Sequence, residues 1–383
     1  MKILEVCSVY PPSRGGVERF VQEISTGLAR RGHKVTVITS TRGTDRRSSD
    51  HVGADGIRVV RLPEHYHLFE APLIPTMAFE ILGEEYDLLH VHGMSPTITD
   101  LSIIVGRLKK KPIVVTYHND AESTLRWGVA DLAARVYGRL CAPILKVADV
   151  VVCSTRSYAA SSFVLPHLPD KLMVIPLGVE PERFSKEGPP GKMKGDTKEV
   201  LFVGQLKDYK GVDVLIRAIA HLRHEGHDLA LRIAGTGPLL TSLRTTADSL
   251  RLNGSVKFLG NVDDEALVEL YNQCDLFVLP STSRREAFGL VQLEAVAAGK
   301  RVVASDIPGA GEVTRMIDGF LAKPNDYVAL AREILNAMKA PGDRERLREK
   351  ARSMSWSKVV GKYEALFESL VREKSQPNLH ISN

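Results

Sequence analysis

Short β-branched runs alternate with amphipathic stretches of helical length along most of the chain. KILEVCSV leads into VERFVQEISTGLARRG, and KVTVITS, DLLHVHG, PIVVTYH and ADVVVCS follow as further strand-length apolar runs. Such runs, separated by segments with the 3.6-residue period, predict strands joined by crossover helices, which is the pattern of a parallel sheet. After IPLGVEPERF the apolar periodicity stops in SKEGPPGKMKGDTKE, rich in Gly, Pro and Lys. The alternation then restarts with EVLFVGQL, DLALRIAG, SVKFLG, CDLFVLP and KRVVAS. This predicts an α/β protein of two doubly wound Rossmann-like domains, spanning 1–180 and 198–354, with an interdomain linker at 181–197. MSWSKVVGKYEALFESLVRE carries apolar residues at helical spacing and is expected to form a closing helix, 355–373, that packs back on the first domain. The polar tail KSQPNLHISN is expected to fray. Two doubly wound domains with parallel sheets facing a central cleft would place functional residues just after strands.

Length and composition agree with this division. A chain of 383 residues exceeds one ordinary core, and 44% hydrophobic with 25% charged residues marks a folded, soluble class. The net charge of +5 is a mild bias that suits phosphorylated substrates or an anionic surface, and it falls short of a nucleic-acid footprint. Cys7, Cys141, Cys153 and Cys274 are scattered, without zinc-type spacing, and fit a reducing compartment. The opening MKILEVCSVYPPSRGG breaks at Pro11–Pro12, too early for a signal peptide, and no apolar run approaches the roughly 20 residues of a membrane span. The expected location is cytoplasmic. VGRLKKKP (105–112) and AARVYGRLCAPILK (133–146) mix basic and apolar residues. They would either rest peripherally on the anionic inner face of the cell membrane or form a solvated helix end and an ordinary packed crossover helix.

Three places carry candidate chemistry, each with a plainer reading beside it. Gly15 and Gly16 open the first helix after the first strand, where free amides and the helix dipole favour a phosphate, although a plain strand-to-helix turn would look the same. Lys210 precedes Gly211 at a helix start in the second half, as a point charge for phosphate or as a solvated surface lysine. In STSRREAFGLVQLEAVAAGK, a strand end delivers Glu286, and Phe288 to Val291 begin a helix carrying Glu294. One carboxylate would accept sugar hydroxyls and the other a ribose, with helix amides between them; otherwise Glu286 is a first-turn acid and Glu294 lies on a solvated face.

The spacing Glu286-x7-Glu294, with PPSRGGVE near the start and VGQLKDYKG in the middle, resembles the retaining GT-B glycosyltransferases of glycosyltransferase family 4, over about residues 2–372. The resemblance implies a nucleotide-diphosphate-sugar donor, no other cofactor, and a glycan or lipid-linked acceptor. By the same resemblance, Glu286 holds donor-sugar hydroxyls, and the amides around Phe288, Gly289, Leu290 and Val291 meet sugar and diphosphate. Glu294 binds the ribose. Lys210 neutralises the diphosphate, helped by the Gly15–Gly16 turn from the other domain, and His118 in VVTYHND lies near the transferring sugar. Gly235 in GTGP, with Asn261 and Val262, lines the base pocket. An isolated histidine at a strand end is also a common structural feature.

The chain departs from the family pattern at three positions. Gln205 stands in the donor site where arginine is frequent, and an amide lacks a guanidinium's charge and fork. Ala287 replaces a common glycine and Leu177 a common asparagine. No D-x-D appears at a strand end, Asp263–Asp264 being adjacent and helix-initiating, so no metal is expected. The implied reaction is hexosyl transfer in cell-surface polysaccharide synthesis, with mannose from GDP-mannose placed ahead of glucose and N-acetylglucosamine from UDP. A GT-B sugar-nucleotide epimerase and a non-catalytic sugar-nucleotide-binding partner are the competing readings.

Overall fold

The computed structural model describes the chain except residues 14, 43, 45–47, 65, 69–70, 94, 96, 121–135, 137–141, 186–196, 342 and 376–383. The chain divides into two compact units, Met1–Leu177 with Trp356–Asn383, and Gly178–Ser355. Most of the linker expected at 181–197 and most of the 133–146 stretch lie outside the described residues, while Pro181–Phe184 forms one short helical turn.

The first unit is built on strands β1 (Lys2–Val6), β2 (Lys34–Ser40), β3 (Ser49–Val52), β4 (Arg58–Leu62), β7 (Leu88–His92), β8 (Ile113–Tyr117), β9 (Val150–Cys153) and β10 (Leu172–Val174), in the order β10-β9-β8-β7-β1-β2-β4-β3. All pairs are parallel except β3 against β4. A separate hairpin joins β5 (Tyr66–Leu68) and β6 (Ala71–Leu73). The central strands are buried on both faces and read as largely apolar runs, the usual consequence of helices covering a parallel sheet, with Glu5 in β1 and His90 and His92 in β7 as buried polar exceptions. Edge strand β3 exposes all four residues, so no apolar pattern announces it.

Helix α1 (Gly16–Arg30) buries Phe20, Val21, Ile24 and Leu28, spaced to share one face. Helices α2 (Met77–Gly83) and α3 (Thr99–Leu108) pack together at another part of this unit. The second unit adds β11 (Lys198–Val203), β12 (Leu229–Ala234), β13 (Val256–Gly260), β14 (Leu276–Leu279), β15 (Arg301–Ser305) and β16 (Phe320–Ala322) in one parallel sheet ordered β13-β12-β11-β14-β15-β16. Its helices include α4 (Val212–His224), α5 (Asp264–Gln273), α6 (Leu290–Ala297) and α7 (Tyr327–Lys339). Val200, Phe202, Leu231, Ile233 and Val278 from the strands share one core with Leu215, Ile219 and Ile334 from α4 and α7.

The closing helix α8 (Trp356–Ser375) returns to the first unit and packs on α1. Trp356, Val359, Val360, Tyr363 and Phe367 form its buried face, and the Phe20 ring meets Trp356 and Tyr363 edge-on at 5.9 and 5.8 Å. Glu364 accepts from Arg31 at 2.5 Å and pairs with His33 at 2.8 Å. Gly27 lets the two backbones approach, because a Cβ there would sit 2.5 Å from Val360 Cγ2. A β-branched side chain on a helix has essentially one rotamer and cannot swing aside. Gly27→Ala should therefore destabilise the protein by about 1–3 kcal/mol despite the better helix propensity of alanine. Thermal melts of Gly27→Ala, Val360→Ala and the double variant should show the alanine's cost largely removed once Val360 is shortened.

Candidate functional site

In the second sheet the strand order reverses at β11, which has β12 on one side and β14 on the other. The loops after β11 and β14 therefore emerge side by side at the carboxyl edge, the ligand position of doubly wound folds. The β11 loop makes a 3₁₀ turn, Asp208–Lys210, and Gly211, at φ +65°, starts α4. The Thr282 amide donates to the Tyr209 carbonyl at 2.7 Å and ties the two loops together.

Across that seam Lys210 Nζ donates to Glu286 Oε2 at 2.5 Å, and Ser281 Oγ donates to the same oxygen at 3.0 Å. Both charged side chains are largely shielded, with 13% and 11% exposure. Burial by itself pulls the lysine's pKa down, but the Glu286 carboxylate and the Tyr209 oxygen outweigh it and hold the value above the ordinary one. The ammonium is thus charged at neutral pH.

Helix α6 starts from Gly289, whose φ of +76° is a left-handed conformation that glycine adopts without strain. Its first-turn amides, those of Leu290 and Val291, have no preceding helical carbonyl to bond and carry the positive end of the helix dipole. Phe288 is buried just before them. Gln292 is fully buried beneath this turn, donating to the Phe288 and Ala310 carbonyls at 3.2 Å and accepting from Thr314 Oγ1 at 2.6 Å. It fixes the loop that carries Glu286. Glu294 is 5% exposed and accepts from the Tyr271 hydroxyl at 2.8 Å, so the solvated-face alternative does not hold for it.

The remaining expected donor residues of this unit line the same edge. The Gly235 amide donates to the Gly260 carbonyl at 2.8 Å, and any Cβ at Gly235 would overlap the Gly204 carbonyl oxygen. Close passage of the chain after β12 past the chain after β11 thus gives this glycine a packing reason. Asn261 Oδ1 accepts from Thr236 Oγ1 at 3.3 Å, Val262 is half-buried beside it, and Gln205 is exposed. Ser281, Tyr209 and Arg285 were not singled out from the sequence, because serine, tyrosine and arginine in a loop carry no periodic signal, and Gln292 was passed over as one polar residue within the α6 run.

In the first unit Gly15 caps α1 in extended backbone and Gly16 begins the helix, both exposed. A Cβ at Gly15 would overlap the Glu18 carboxylate, so the helix's own first-turn acid lies against its amino end. His118 follows β8. Its ring stacks on His92 at 5.8 Å and meets the Phe20 ring edge-on at 5.0 Å. Its Nε2 is shielded from solvent and has no hydrogen-bond partner among the described residues. Burial, with His92 and His90 nearby, holds its pKa well below the usual imidazole range.

Behind His118 lies a cluster that sequence reasoning passed over. Glu5 on β1 is fully buried, its Oε2 lying 2.6 Å from His92 Nε2 and 2.8 Å from His90 Nδ1. His90 Nε2 meets Thr116 Oγ1 at 2.7 Å, and Thr116 meets the Tyr363 hydroxyl at 3.0 Å. The available signal was an acid inside an otherwise apolar strand, ILEVC, with two histidines at alternate positions of β7. The three side chains offer ligand atoms within 4.8 Å of one another. Separations of 2.6 and 2.8 Å are hydrogen-bond lengths, however, and two ligands of a tetrahedral metal at about 2.0–2.1 Å stand roughly 3.3 Å apart. The geometry is that of a carboxylate shared between two imidazoles.

Comparison with known proteins decides what this arrangement belongs to. Residues 14–183 match the family described as Glycosyltransferase Family 4, and residues 185–354 match Glycosyl transferases group 1. The chain is 31% identical over 337 residues to a GDP-mannose-dependent alpha-(1-6)-phosphatidylinositol monomannoside mannosyltransferase of Mycolicibacterium smegmatis, with 83% of each chain covered. The chain belongs to glycosyltransferase family 4. To the O-antigen chain mannosyltransferase C of Escherichia coli this family 4 glycosyltransferase is 29% identical over 346 residues, covering 88% of each. Its fold is GT-B: the structure of HepE from Anabaena in complex with UDP matches with a TM-score of 0.76 at 21% identity, over 96% of this chain and 100% of that one.

The buried cluster of this glycosyltransferase has a pH signature. For Glu5 burial is the largest influence and opposes ionisation, but His90 and His92 overcome it and bring the pKa down to about 2 from 4.5. For His92 burial and His90 outweigh Glu5, bringing it down to about 4 from 6.5. Both groups bind protons more readily when unfolded. The His92 contribution is therefore present above pH 6.5 and lost as pH falls to about 4, and the Glu5 contribution is present above pH 4.5 and lost towards about 2. The melting temperature should fall steadily below pH 6.5, and His92→Asn should flatten the upper part of that fall. An unchanged slope in the variant would mean that His92 is not the titrating group.

Proposed function

We propose that this chain is a retaining, metal-independent hexosyltransferase that moves mannose from GDP-mannose to a hydroxyl of a lipid-linked or surface-polysaccharide glycan. The reading is carried by the Lys210–Glu286 ion pair at the β11/β14 switch point, beside the first-turn amides of α6. Breaking the bond from anomeric carbon to phosphate oxygen leaves negative charge on the diphosphate and oxocarbenium character on the sugar. A preorganised positive site for the leaving group is what the protein can supply most usefully. Lys210 and the α6 amides meet the diphosphate. Glu286 accepts hydrogen bonds from donor-sugar hydroxyls, and Glu294, set by Tyr271, accepts from the ribose. The acceptor hydroxyl attacks from the face the phosphate leaves and gives its proton to the departing phosphate oxygen, so the configuration is kept. The GDP-mannose dependence of the Mycolicibacterium smegmatis relative and the mannosyl transfer named for the Escherichia coli relative favour this donor.

Transfer from GDP-mannose, UDP-glucose and UDP-N-acetylglucosamine should be compared in EDTA, with the product's anomeric configuration read by NMR. The expected result is undiminished mannosyl transfer with retention. Loss of turnover in EDTA, or an inverted product, would reject the mechanism. Lys210→Ala should lower kcat by about 100-fold or more with its melting transition preserved, and near-normal transfer by that folded variant would remove the lysine from the mechanism.

The acceptor side favours action at the cytoplasmic face of an anionic membrane. Helices α2 and α3 expose Phe79, Leu82, Ile104 and Leu108, with Phe79 and Leu108 at 75% and 70% exposure, and Arg107 on α3 and Lys110 in the turn after it are exposed. Apolar side chains with neighbouring basic residues suit the headgroup boundary of an anionic leaflet. No helix among the described residues is long and apolar enough to cross a membrane. Co-sedimentation with phosphatidylglycerol vesicles at low salt should be strong for the wild type and largely lost for Phe79→Asp/Leu108→Asp. Equal sedimentation of both proteins would place any membrane contact elsewhere.

A further inference from the structure

Two cations approach one aromatic ring at the seam between the β11 and β14 loops. Arg285 Cζ lies 4.5 Å from the Tyr209 ring centroid, and Lys210 Nζ lies 5.3 Å from it. Each is within the range over which a cation is drawn to an aromatic face. The two differ in what else they hold. Lys210 is matched by a full carboxylate charge at 2.5 Å, so the Lys210–Glu286 pair adds almost no net charge to the site. A nucleoside diphosphate carries at least two negative charges, and a site built to receive it as a leaving group needs a positive charge beyond that pair.

Arg285 is the cation in position to supply it. Its Nη1 reaches Asp208 Oδ1 at 3.3 Å, a long contact to a carboxylate that is itself 65% exposed and well solvated. Stacking on Tyr209 fixes the plane of the guanidinium without consuming its N–H groups, which lie around the edge of that plane. The side chain is 17% exposed, enough shielding to hold one orientation and enough access to meet a ligand. Backbone placement adds to this. Arg285 directly precedes Glu286, and the Thr282 amide bonded to the Tyr209 carbonyl locks the two loops in register. A planar fork binds phosphate oxygens in pairs, whereas Lys210 acts as a point charge. On the β11 loop, the neutral Gln205 contributes no charge of its own.

We propose that Arg285, oriented by the Tyr209 ring, is a second diphosphate-binding cation of this site. The inference rests on the reading of the chain as a nucleotide-diphosphate-sugar transferase. Arg285 trades its long contact to Asp208 for phosphate oxygens, and Tyr209 is the positioning residue that holds its plane.

Titration calorimetry of wild type, Arg285→Ala, Arg285→Lys and Tyr209→Leu with GDP and GMP, and in parallel UDP and UMP, tests this. Arg285→Ala should weaken the diphosphate about tenfold or more while leaving the monophosphate within about twofold, the loss expected for a charge-assisted contact to the terminal phosphate. Arg285→Lys should recover part of the loss, and Tyr209→Leu should reproduce part of it. Gln205→Arg placed in the Arg285→Ala protein should restore diphosphate affinity by returning a guanidinium to the same edge. Equal weakening of diphosphate and monophosphate would mean that the substitution damages the pocket generally, and unchanged affinity for both would mean that Arg285 does not touch the diphosphate; either overturns the arginine's role. Failure of the wild type to bind either diphosphate would overturn the donor reading itself, which the variants alone cannot do.

Discussion

Parallel strands cannot be joined by a tight turn, and most of what this chain does follows from that constraint. Each strand must be followed by a crossover that returns along one face of the sheet, so both faces are covered and the central strands are buried throughout. Every crossover also brings the chain out at the carboxyl edge, where helices begin with unbonded amides. Where the strand order reverses at β11, the helices after β11 and β14 leave to opposite faces of the sheet, and a gap opens between the two exits. Lys210 and Glu286, separated by 76 positions in the chain, meet there.

The two units handle buried charge differently. In the second unit opposite charges are paired, Lys210 with Glu286, at an edge where a ligand could take over either partner. In the first unit Glu5 is 0% exposed and is stabilised by two imidazoles and, beyond them, by the hydroxyls of Thr116 and Tyr363. Removing one member of such a network leaves the rest buried without compensation, which makes it a fixed element of the fold. It extends to α8 through Tyr363, so the last helix of the chain completes the polar interior of a unit whose first strand begins the chain. His118 stacks on the outer side of this network. Its surroundings favour a neutral ring.

The alternation of apolar runs and amphipathic stretches was enough to read most strands of the two parallel sheets, the major crossover helices and the closing helix, because buried parallel strands are mostly apolar on both faces, although the five-residue β4 went unread. The same rule explains what escaped. Strand β3 is exposed along its length, β10 and β16 have three residues each, and β5 and β6 form a three-residue hairpin, so none has a period long enough to detect. Glu286 and Glu294 were legible as candidates because acids interrupt an apolar helix-forming run, whereas Gly289 entered only through the family resemblance and its left-handed φ of +76° is set by the fold. Gly235 entered through the same resemblance, and its packing against Gly204 was not legible.

By itself the sequence determined which segments are buried, where the helices start, and which residue types stand at the ends of strands, since these depend on neighbours within a few positions. Family membership follows from the same local motifs taken in order. Only the tertiary structure decided the partners: Glu286 with Lys210, Glu294 with Tyr271, Arg285 over Tyr209, and Glu5 between His90 and His92. Those pairings depend on sheet order and on register across distant segments, and the chemistry of a charged group is set by what folding brings within a few ångströms of it.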